Sequence, residues 1–108
     1  MDQKEFPRLV DGSLAAVAKW LENFDPDEVD CNIADGVITM EFPDGDRFIL
    51  NRQVAASQLW LAASAGAWHY DWNESTRTWV DSKDRHSLYD RLAELIFAKI
   101  GRRVEFDG

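Results

Sequence analysis

The sequence is poor in cysteine and in long apolar runs, and both shortages limit what the protein can be. One cysteine among 108 residues excludes an intrachain disulfide and a metal cage built from several thiolates. The longest apolar runs, such as Leu59 to Ala63, are too short to span a bilayer. The first residues, Met-Asp-Gln-Lys-Glu, are polar and lack the apolar segment of a secretion signal. We therefore predict a soluble domain in a reducing, cytoplasmic environment, with no membrane partner.

Basic residues are scarce in the first part of the chain. Lys and Arg number 12 against 20 Asp and Glu, which gives a net charge of −8. Residues 1–46 hold 12 acidic and 3 basic residues, whereas residues 47–108 hold 8 acidic and 9 basic ones. Nucleic acid is not an expected partner, because phosphate contacts need clustered Lys and Arg. Cations and basic protein patches are the expected partners, although acidity that only aids solubility would explain the same charge.

The length and apolar content predict one domain over residues 1–108. Apolar residues make up 45% of the chain and aromatic residues 12%, including five Trp. This is enough to build a buried core, and it argues against intrinsic disorder.

A first helix is predicted by apolar residues that recur every three or four positions. Asp2 and Glu5 have the spacing of a capping box, and the helix should begin between Gln3 and Phe6. Pro26 is expected to end it. The apolar stripe consists of Phe6, Leu9, Val10, Leu14, Val17, Trp20, Leu21 and Phe24.

From Asp30 onward the apolar period changes to two, which is typical of strands. The predicted strands are Asp30–Ala34, Val37–Phe42, Arg47–Asn51, Gln58–Ser64, Trp68–Trp72 and Arg77–Val80. The Asp35-Gly36 pair favours a type I′ turn between the first two. Because the connections are short, an antiparallel meander is expected.

A second helix follows the strands. Gly101 has the place of its C-terminal cap, Ser82 or Asp84 could cap its start, and residues 103–106 are expected to pack as an extended tail. Its stripe is Leu88, Leu92, Leu95, Ile96 and Ile100. Two amphipathic helices around a meander predict an α+β fold, a two-layer sandwich with both helices on one face of the antiparallel sheet.

The other face of this sheet has no layer to cover it. Alternation assigns to the core Ile38, Met40, Phe42, Phe48, Leu50, Leu59 and Leu61, and less directly Trp68, Tyr70 and Trp72. The opposite set is Thr39, Glu41, Arg47, Ile49, Asn51, Gln58, Trp60 and Ala62. An indole on a polar face is typical of protein interfaces. We therefore predict that Trp60, surrounded by Asn51, Arg52 and Gln58, forms a protein-binding spot, unless the loop 52–57 or the C-terminal tail covers it.

Acidic residues follow the first helix without an intervening base. They are Glu22, Asp25, Asp27, Glu28, Asp30 and Asp35, and Asp11 lies on the polar face of the helix before them. Carboxylates suit hard cations such as Mg²⁺, Ca²⁺, Mn²⁺ and iron. An open ridge cannot enclose an ion, so binding should be weak, hydrated and multiple. A solvated helix end that repels other copies is an equally good interpretation.

Catalytic arrangements are not evident. Neither His69 nor His86 has neighbours at the spacing of a triad or of a zinc-protease motif. Cys31 lies among acidic residues, which should raise the pKa of its thiol and make it a poor nucleophile. His69 is predicted to be a surface or packing residue rather than a metal ligand.

Several segments together resemble the frataxin family, and especially its compact bacterial members. The central signature is Asn51-Arg52-Gln53 followed, after four residues, by Gln58-Leu59-Trp60-Leu61-Ala62. The segments Asp35-Gly36-Val37-Ile38-Thr39 and Tyr70-Asp71-Trp72 also fit, and the order of elements agrees over nearly the whole chain.

The resemblance implies a non-catalytic, iron-binding regulator or iron donor in iron–sulfur cluster assembly. It implies weak binding of Fe²⁺ or Fe³⁺, and partners that are a cysteine desulfurase and an iron–sulfur scaffold protein. It also implies a monomer, with iron-driven oligomers as a further form. We call the implied iron ligands the acidic ridge: Asp11, Glu22, Asp25, Asp27, Glu28 and Asp30. The implied partner-binding residues are Asn51, Arg52, Gln58 and Trp60.

Two alternatives stay open. One is a ferroxidase or iron-storage activity, although the chain lacks the Glu-x-x-His pairs of di-iron bundle sites. The other is an acidic interaction module that needs no metal. Ala18, Lys19 and Asn23 stand where bacterial frataxins often carry acidic residues, so tight iron binding is not expected.

Overall fold

The computed structural model describes residues 5–101, which form two helices and a six-stranded sheet. In chain order the elements are α1 (Phe6–Leu21), β1 (Asp30–Ala34), β2 (Val37–Glu41), β3 (Arg47–Gln53), a 3₁₀ turn (Val54–Ala56), β4 (Gln58–Ala63), β5 (Gly66–Asn73), β6 (Thr78–Asp81) and α2 (Leu88–Ile100). This arrangement confirms the predicted α+β fold class. No helix in residues 5–101 is long and apolar enough to cross a membrane.

Each strand of the sheet pairs antiparallel with the next strand along the chain, in the order β1-β2-β3-β4-β5-β6. The register begins at the Asp35-Gly36 turn, where φ is 50° at Asp35 and 76° at Gly36. Positive φ at both positions is the requirement of a type I′ turn, which closes tightly and fixes the pairing outward from it. Ala34 therefore lies opposite Val37, and Asp30 opposite Glu41.

Both helices contribute to a core that lies on one face of the sheet. All seven residues assigned directly to this face from alternation are buried: Ile38, Met40, Phe42, Phe48, Leu50, Leu59 and Leu61. Tyr70 is fully buried, and Trp68 and Trp72 pack against the core while partly exposed. The prediction of the core face is confirmed, and within residues 5–101 no helix covers the other face of the sheet.

The helix ends differ in part from expectation. Pro7 is accommodated in the first turn of α1, but Glu5 makes no side-chain cap, and its predicted partner Asp2 lies outside the described residues. The cap of α2 is neither Ser82 nor Asp84. Ser87 has this role, because its hydroxyl accepts the Tyr89 N–H at 3.1 Å. Gly101, at φ 76°, ends α2 as predicted, and the predicted tail 103–106 lies outside the described residues.

Candidate functional site

Five of the six residues of the acidic ridge follow one another between the end of α1 and the start of β1. Glu22 is the C-cap of α1, and Asp30 is the first residue of β1. Asp25 and Asp27 lie in the connecting loop and are exposed, whereas Glu28 is half-buried. The Asp25 N–H donates to Oε1 of Glu28 at 3.1 Å, so this carboxylate helps to close the loop.

Asp11 lies apart from the other ridge residues. It comes eleven positions before Glu22 on the same helix, or about 16 Å along the axis at 1.5 Å per residue. Its Oδ1 is 3.5 Å from Nη1 of Arg52, in an exposed ion pair between α1 and the end of β3. Asp11 and Glu22 are thus too far apart to bind one ion, and Asp11 already has a cationic partner.

Four carboxylates at the other end of the ridge form no ion pair within the part of the chain that the structure describes. Within residues 5–101, no ion pair to Lys, Arg or His involves the four carboxylates of Glu22, Asp25, Asp27 and Asp30, which we call the unpaired carboxylates. Glu41 lies opposite Asp30 in the β1–β2 register and adds a fifth acidic group, 3.9 Å from Nε of Arg47. Counting residue pairs outward from the Asp35-Gly36 turn would have placed Glu41 opposite Asp30 from the sequence alone.

The ridge does not form a closed metal site. Among the described residues, the single trio whose ligand atoms all lie within 4.8 Å of one another is Asp81, Asp84 and His86, which is not part of the ridge. An ion on the ridge would therefore be held by few protein oxygens and by water. Weak, hydrated binding on this open row of carboxylates stays a prediction.

Trp60 lies on the open face of the sheet, in a row with Asn51 of β3 and His69 of β5. Its indole stacks on the imidazole of His69, with ring centroids 4.1 Å apart and planes 14° apart. The indole Nε1–H donates to Oε1 of Gln58 at 2.8 Å, and Nε2 of Gln58 donates to Asp71 at 3.0 Å. Trp60 is consequently half-buried rather than bare, because His69 covers one side of the ring.

Arg52 does not belong to this face, contrary to the predicted grouping with Trp60. Strand β3 continues to Gln53 instead of ending at Asn51, and alternation then directs Arg52 to the helix side. Its side chain crosses over Gly36 to reach Asp11. The structure brings together Asn51, Gln58 and Trp60. It adds His69 and Asp71, which lie on the same face because they alternate with Trp68, Tyr70 and Trp72 along β5.

A third group of polar side chains was not found from the sequence. His86 lies between Asp84, whose carboxylate contacts Nδ1, and Tyr70, whose hydroxyl is 2.8 Å from Nε2. Hydrogen bonds from the backbone N–H and the imidazole of His86 lower the pKa of Asp84. Burial raises the pKa of Tyr70 well above its usual value, so its hydroxyl stays protonated.

Cys31 behaves as predicted. Burial, and secondly the nearby charge of Asp30, raise the pKa of its thiol above the usual value. It packs against the core from β1, and a raised pKa disfavours the thiolate form that a nucleophile or a metal ligand needs.

Comparison with known proteins identifies the family. The model of the frataxin-like domain matches residues 1–102. The chain belongs to the frataxin family. It is 30% identical to the iron–sulfur cluster assembly protein CyaY of Tolumonas auensis over 104 residues, which cover 96% of this chain and 97% of that one.

Solved frataxin structures agree with this assignment. Frataxin from Psychromonas ingrahamii superposes with a TM-score of 0.88 at 28% identity, and the match covers 100% of both chains. Trimeric frataxin from Saccharomyces cerevisiae complexed with ferrous iron gives a TM-score of 0.69 at 28% identity, covering 91% of this chain and 87% of that one. The CyaY relatives are named as iron–sulfur cluster assembly proteins, and the resemblance to the frataxin family inferred from the sequence is confirmed.

Proposed function

We propose that this chain is a non-catalytic, cytoplasmic regulator or iron donor in iron–sulfur cluster assembly. It binds Fe²⁺ or Fe³⁺ weakly on the acidic ridge and docks on a cysteine desulfurase and its scaffold protein. Membership of the frataxin family supports the pathway. The unpaired carboxylates of Glu22, Asp25, Asp27 and Asp30 are the observation on which the iron and docking roles rest.

Iron binding follows from summed charge and oxygen chemistry. Four exposed carboxylates without a cationic partner in the described residues attract cations, and carboxylate oxygens suit iron. Because no three of them meet around one point, each ion keeps most of its water and exchanges readily. A yeast frataxin of similar fold has been solved with ferrous iron, which supports the choice of metal.

Docking uses the same charge. A basic patch on the desulfurase would meet the ridge, and the open sheet face with Trp60 would supply an apolar contact beside it. Charge complementarity steers such an encounter, while a buried aromatic side chain supplies much of the affinity. Iron and the protein partner then use the same unpaired carboxylates. Either the binding of one weakens the binding of the other, or an iron ion bridges the carboxylates and the partner.

The iron role is tested by NMR titration of the full chain with Fe²⁺ without oxygen. We expect shifts in residues 22–30, and their loss in the variant Glu22→Gln/Asp25→Asn/Asp27→Asn. The matched control Glu74→Gln/Asp90→Asn/Glu94→Gln removes the same charge elsewhere and should bind iron like the parent. Equal iron binding by the ridge variant would favour a metal-independent interaction module instead.

The docking role is tested by the affinity for the desulfurase at low and high salt. Since the Debye length is about 8 Å at physiological ionic strength, the affinity should fall steeply as salt increases. An affinity that does not change with salt rules out electrostatic docking.

Saturable oxygen consumption by the monomer would instead favour the ferroxidase alternative. Sedimentation with and without iron tests whether the monomer proposed here forms iron-dependent oligomers, since yeast frataxin forms trimers.

A further inference from the structure

The loop between β6 and α2 collects two carboxylates and an imidazole far along the chain from the acidic ridge. Asp81 ends β6, Asp84 lies in the turn, and His86 stands just before the cap of α2. Their ligand atoms all lie within 4.8 Å of one another. The backbone closes the loop, since the Asp81 N–H donates to the His86 carbonyl at 2.8 Å and the Arg85 N–H donates to the Asp81 carbonyl at 3.1 Å.

Asp81 is the residue that points to a cation. It is only 4% exposed, yet no Lys, Arg or His in residues 5–101 forms an ion pair with it. Its Oδ2 accepts the N–H groups of Lys83 at 2.8 Å and Asp84 at 3.0 Å, while its other oxygen accepts no hydrogen bond from the described residues. Backbone N–H groups thus occupy one oxygen of Asp81, and the other oxygen remains available for a positive ligand.

His86 is already oriented as a metal ligand requires. Its Nε2 is fixed by the Tyr70 hydroxyl, which leaves Nδ1 directed at Asp84. Metal-binding histidines usually have the second ring nitrogen held by an oxygen in this way. On binding, the lone pair of Nδ1 would bond to the metal, and the ring proton would reside on Nε2 and be donated to the Tyr70 oxygen.

We propose that Asp81, Asp84 and His86 form a site for one divalent transition-metal ion, separate from the acidic ridge. Two carboxylates and an imidazole suit Zn²⁺, Fe²⁺, Co²⁺ or Ni²⁺ better than Mg²⁺ or Ca²⁺, which prefer oxygen alone. Neighbouring ligand atoms around a tetrahedral Zn²⁺ are about 3.3 Å apart, so small side-chain rotations would admit the ion. Three protein ligands leave a fourth position for water.

Access and local charge agree with this assignment. Both carboxylates line a cavity of about 220 Å³ that also contacts His69, Ser82 and Lys83. Arg91 adds positive charge near Asp84, but its guanidinium lies over the ring of Trp68, 5.0 Å from the centroid, and forms no ion pair with Asp81 or Asp84. The two negative charges are therefore only partly offset by their surroundings.

The test is calorimetric titration of the full chain with Zn²⁺, followed by Co²⁺ absorption. We expect the parent to bind one equivalent of Zn²⁺ at this site in addition to weaker binding on the ridge. In His86→Gln the association constant of this one site should be at least roughly tenfold lower, which is comparable to or larger than the effect of losing an outer-shell partner. The Gln amide can still reach the Tyr70 hydroxyl, so this variant keeps the packing and removes the Nδ1 ligand. His69→Gln is the matched control, since His69 lines the same cavity but does not belong to the group of three ligand atoms, and this variant should bind like the parent.

Imidazole ¹⁵N spectra give a second measurement that does not depend on any variant folding. Zn²⁺ should shift Nδ1 of His86 and leave His69 unchanged. Unmoved His86 signals at saturating Zn²⁺, or equal affinity in His86→Gln, would overturn the proposal. The variant Glu22→Gln/Asp25→Asn/Asp27→Asn should keep this site, so its failure to bind Fe²⁺ on the ridge tests the proposed function separately.

Discussion

The indole Nε1–H of Trp79 donates to the hydroxyl of Ser13 at 2.8 Å, in a buried hydrogen bond that joins β6 to α1 across 66 positions of the chain. Trp79 is fully buried, and Phe6 packs edge-on against its ring at a centroid distance of 6.2 Å. The donor therefore has no access to water, and Ser13 is its partner.

Replacing Ser13 should destabilise the fold far more than its small size suggests. Ser13→Ala leaves a buried N–H without an acceptor, which costs about 1–3 kcal/mol. Urea unfolding should show this loss with an unchanged m-value. Ser75→Ala is the control, because Ser75 is exposed in a turn and should change stability by less than about 0.5 kcal/mol. Equal effects of the two changes would contradict the assigned role of this bond.

Gly36 is constrained by its backbone and by Arg52. At φ 76° an alanine is strained, and its Cβ would lie 2.5 Å from Nε of Arg52. Gly45 has a φ of 90° but nothing within 4 Å. Both Gly→Ala changes should cost about 1–2 kcal/mol for the left-handed conformation, and Gly36→Ala should cost more.

The difference between the two glycine variants should disappear when Arg52 is absent. In an Arg52→Ala background the added methyl group of Gly36→Ala meets no guanidinium. Urea unfolding of the four combinations measures this coupling. A difference that persists without Arg52 would show that the crowding arises elsewhere. Loss of the exposed Asp11–Arg52 pair alone should change stability by less than about 1 kcal/mol.

Lys99 links the end of α2 to the turn after β2. Its Nζ lies 2.7 Å from Asp44 and 2.6 Å from Asp46. Hydrogen bonds from Lys99, followed by one from Ser64, lower the pKa of Asp46 to about 2, and Lys99 also lowers the pKa of Asp44. Both carboxylates thus bind protons less readily in the folded state than in the unfolded chain.

Because the pKa of Asp46 in the folded state lies below the ordinary value of 3.8, the free energy of unfolding depends on pH. The stabilisation is complete above pH 3.8 and is lost as the pH falls toward 2. Lys99→Met should therefore reduce the free energy of unfolding at pH 6, and the two proteins should converge in stability near pH 2. Lys83→Met, at an exposed position, should show no such convergence. Parallel pH profiles of Lys99→Met and the parent would refute the link.

Trp60 is predicted to anchor the proposed partner. Trp60→Ala should weaken binding to the desulfurase–scaffold complex by about 2 kcal/mol, or roughly 30-fold, which is typical of an interface hot spot. Val54→Ala is the control, because Val54 is 65% exposed on the 3₁₀ turn and is not part of the strands that form the open face. Equal affinities of parent and Trp60→Ala would remove this residue from the interface.

Most of the fold was predictable because alternation and turn chemistry are local signals. The Asp35-Gly36 turn set the register of β1 and β2, and period-two patterning placed Trp60 on the face opposite Leu59. Ser87 was missed as the cap of α2 although it directly precedes Leu88, the first residue of the apolar stripe, whereas Ser82 and Asp84 lie further upstream. The position of the cap was therefore available from the sequence.

The site was less predictable because it depends on where strands end and how loops close. Two more residues in β3 directed Arg52 to Asp11 instead of Trp60. The group of Asp81, Asp84 and His86 requires a left-handed residue, Arg85 at φ 65°, within the loop. No periodicity in the sequence reports such a conformation.

The order of the sheet has a consequence for how the acidic ridge comes into being. Every strand pairs with its immediate successor, so the sheet can grow by short loop closures that each lose little chain entropy. Docking of α1 onto β6 spans most of the chain and is the slow, entropically demanding closure. We therefore expect the sheet to form first during folding. The acidic ridge should reach its final position only afterwards, when α1 docks.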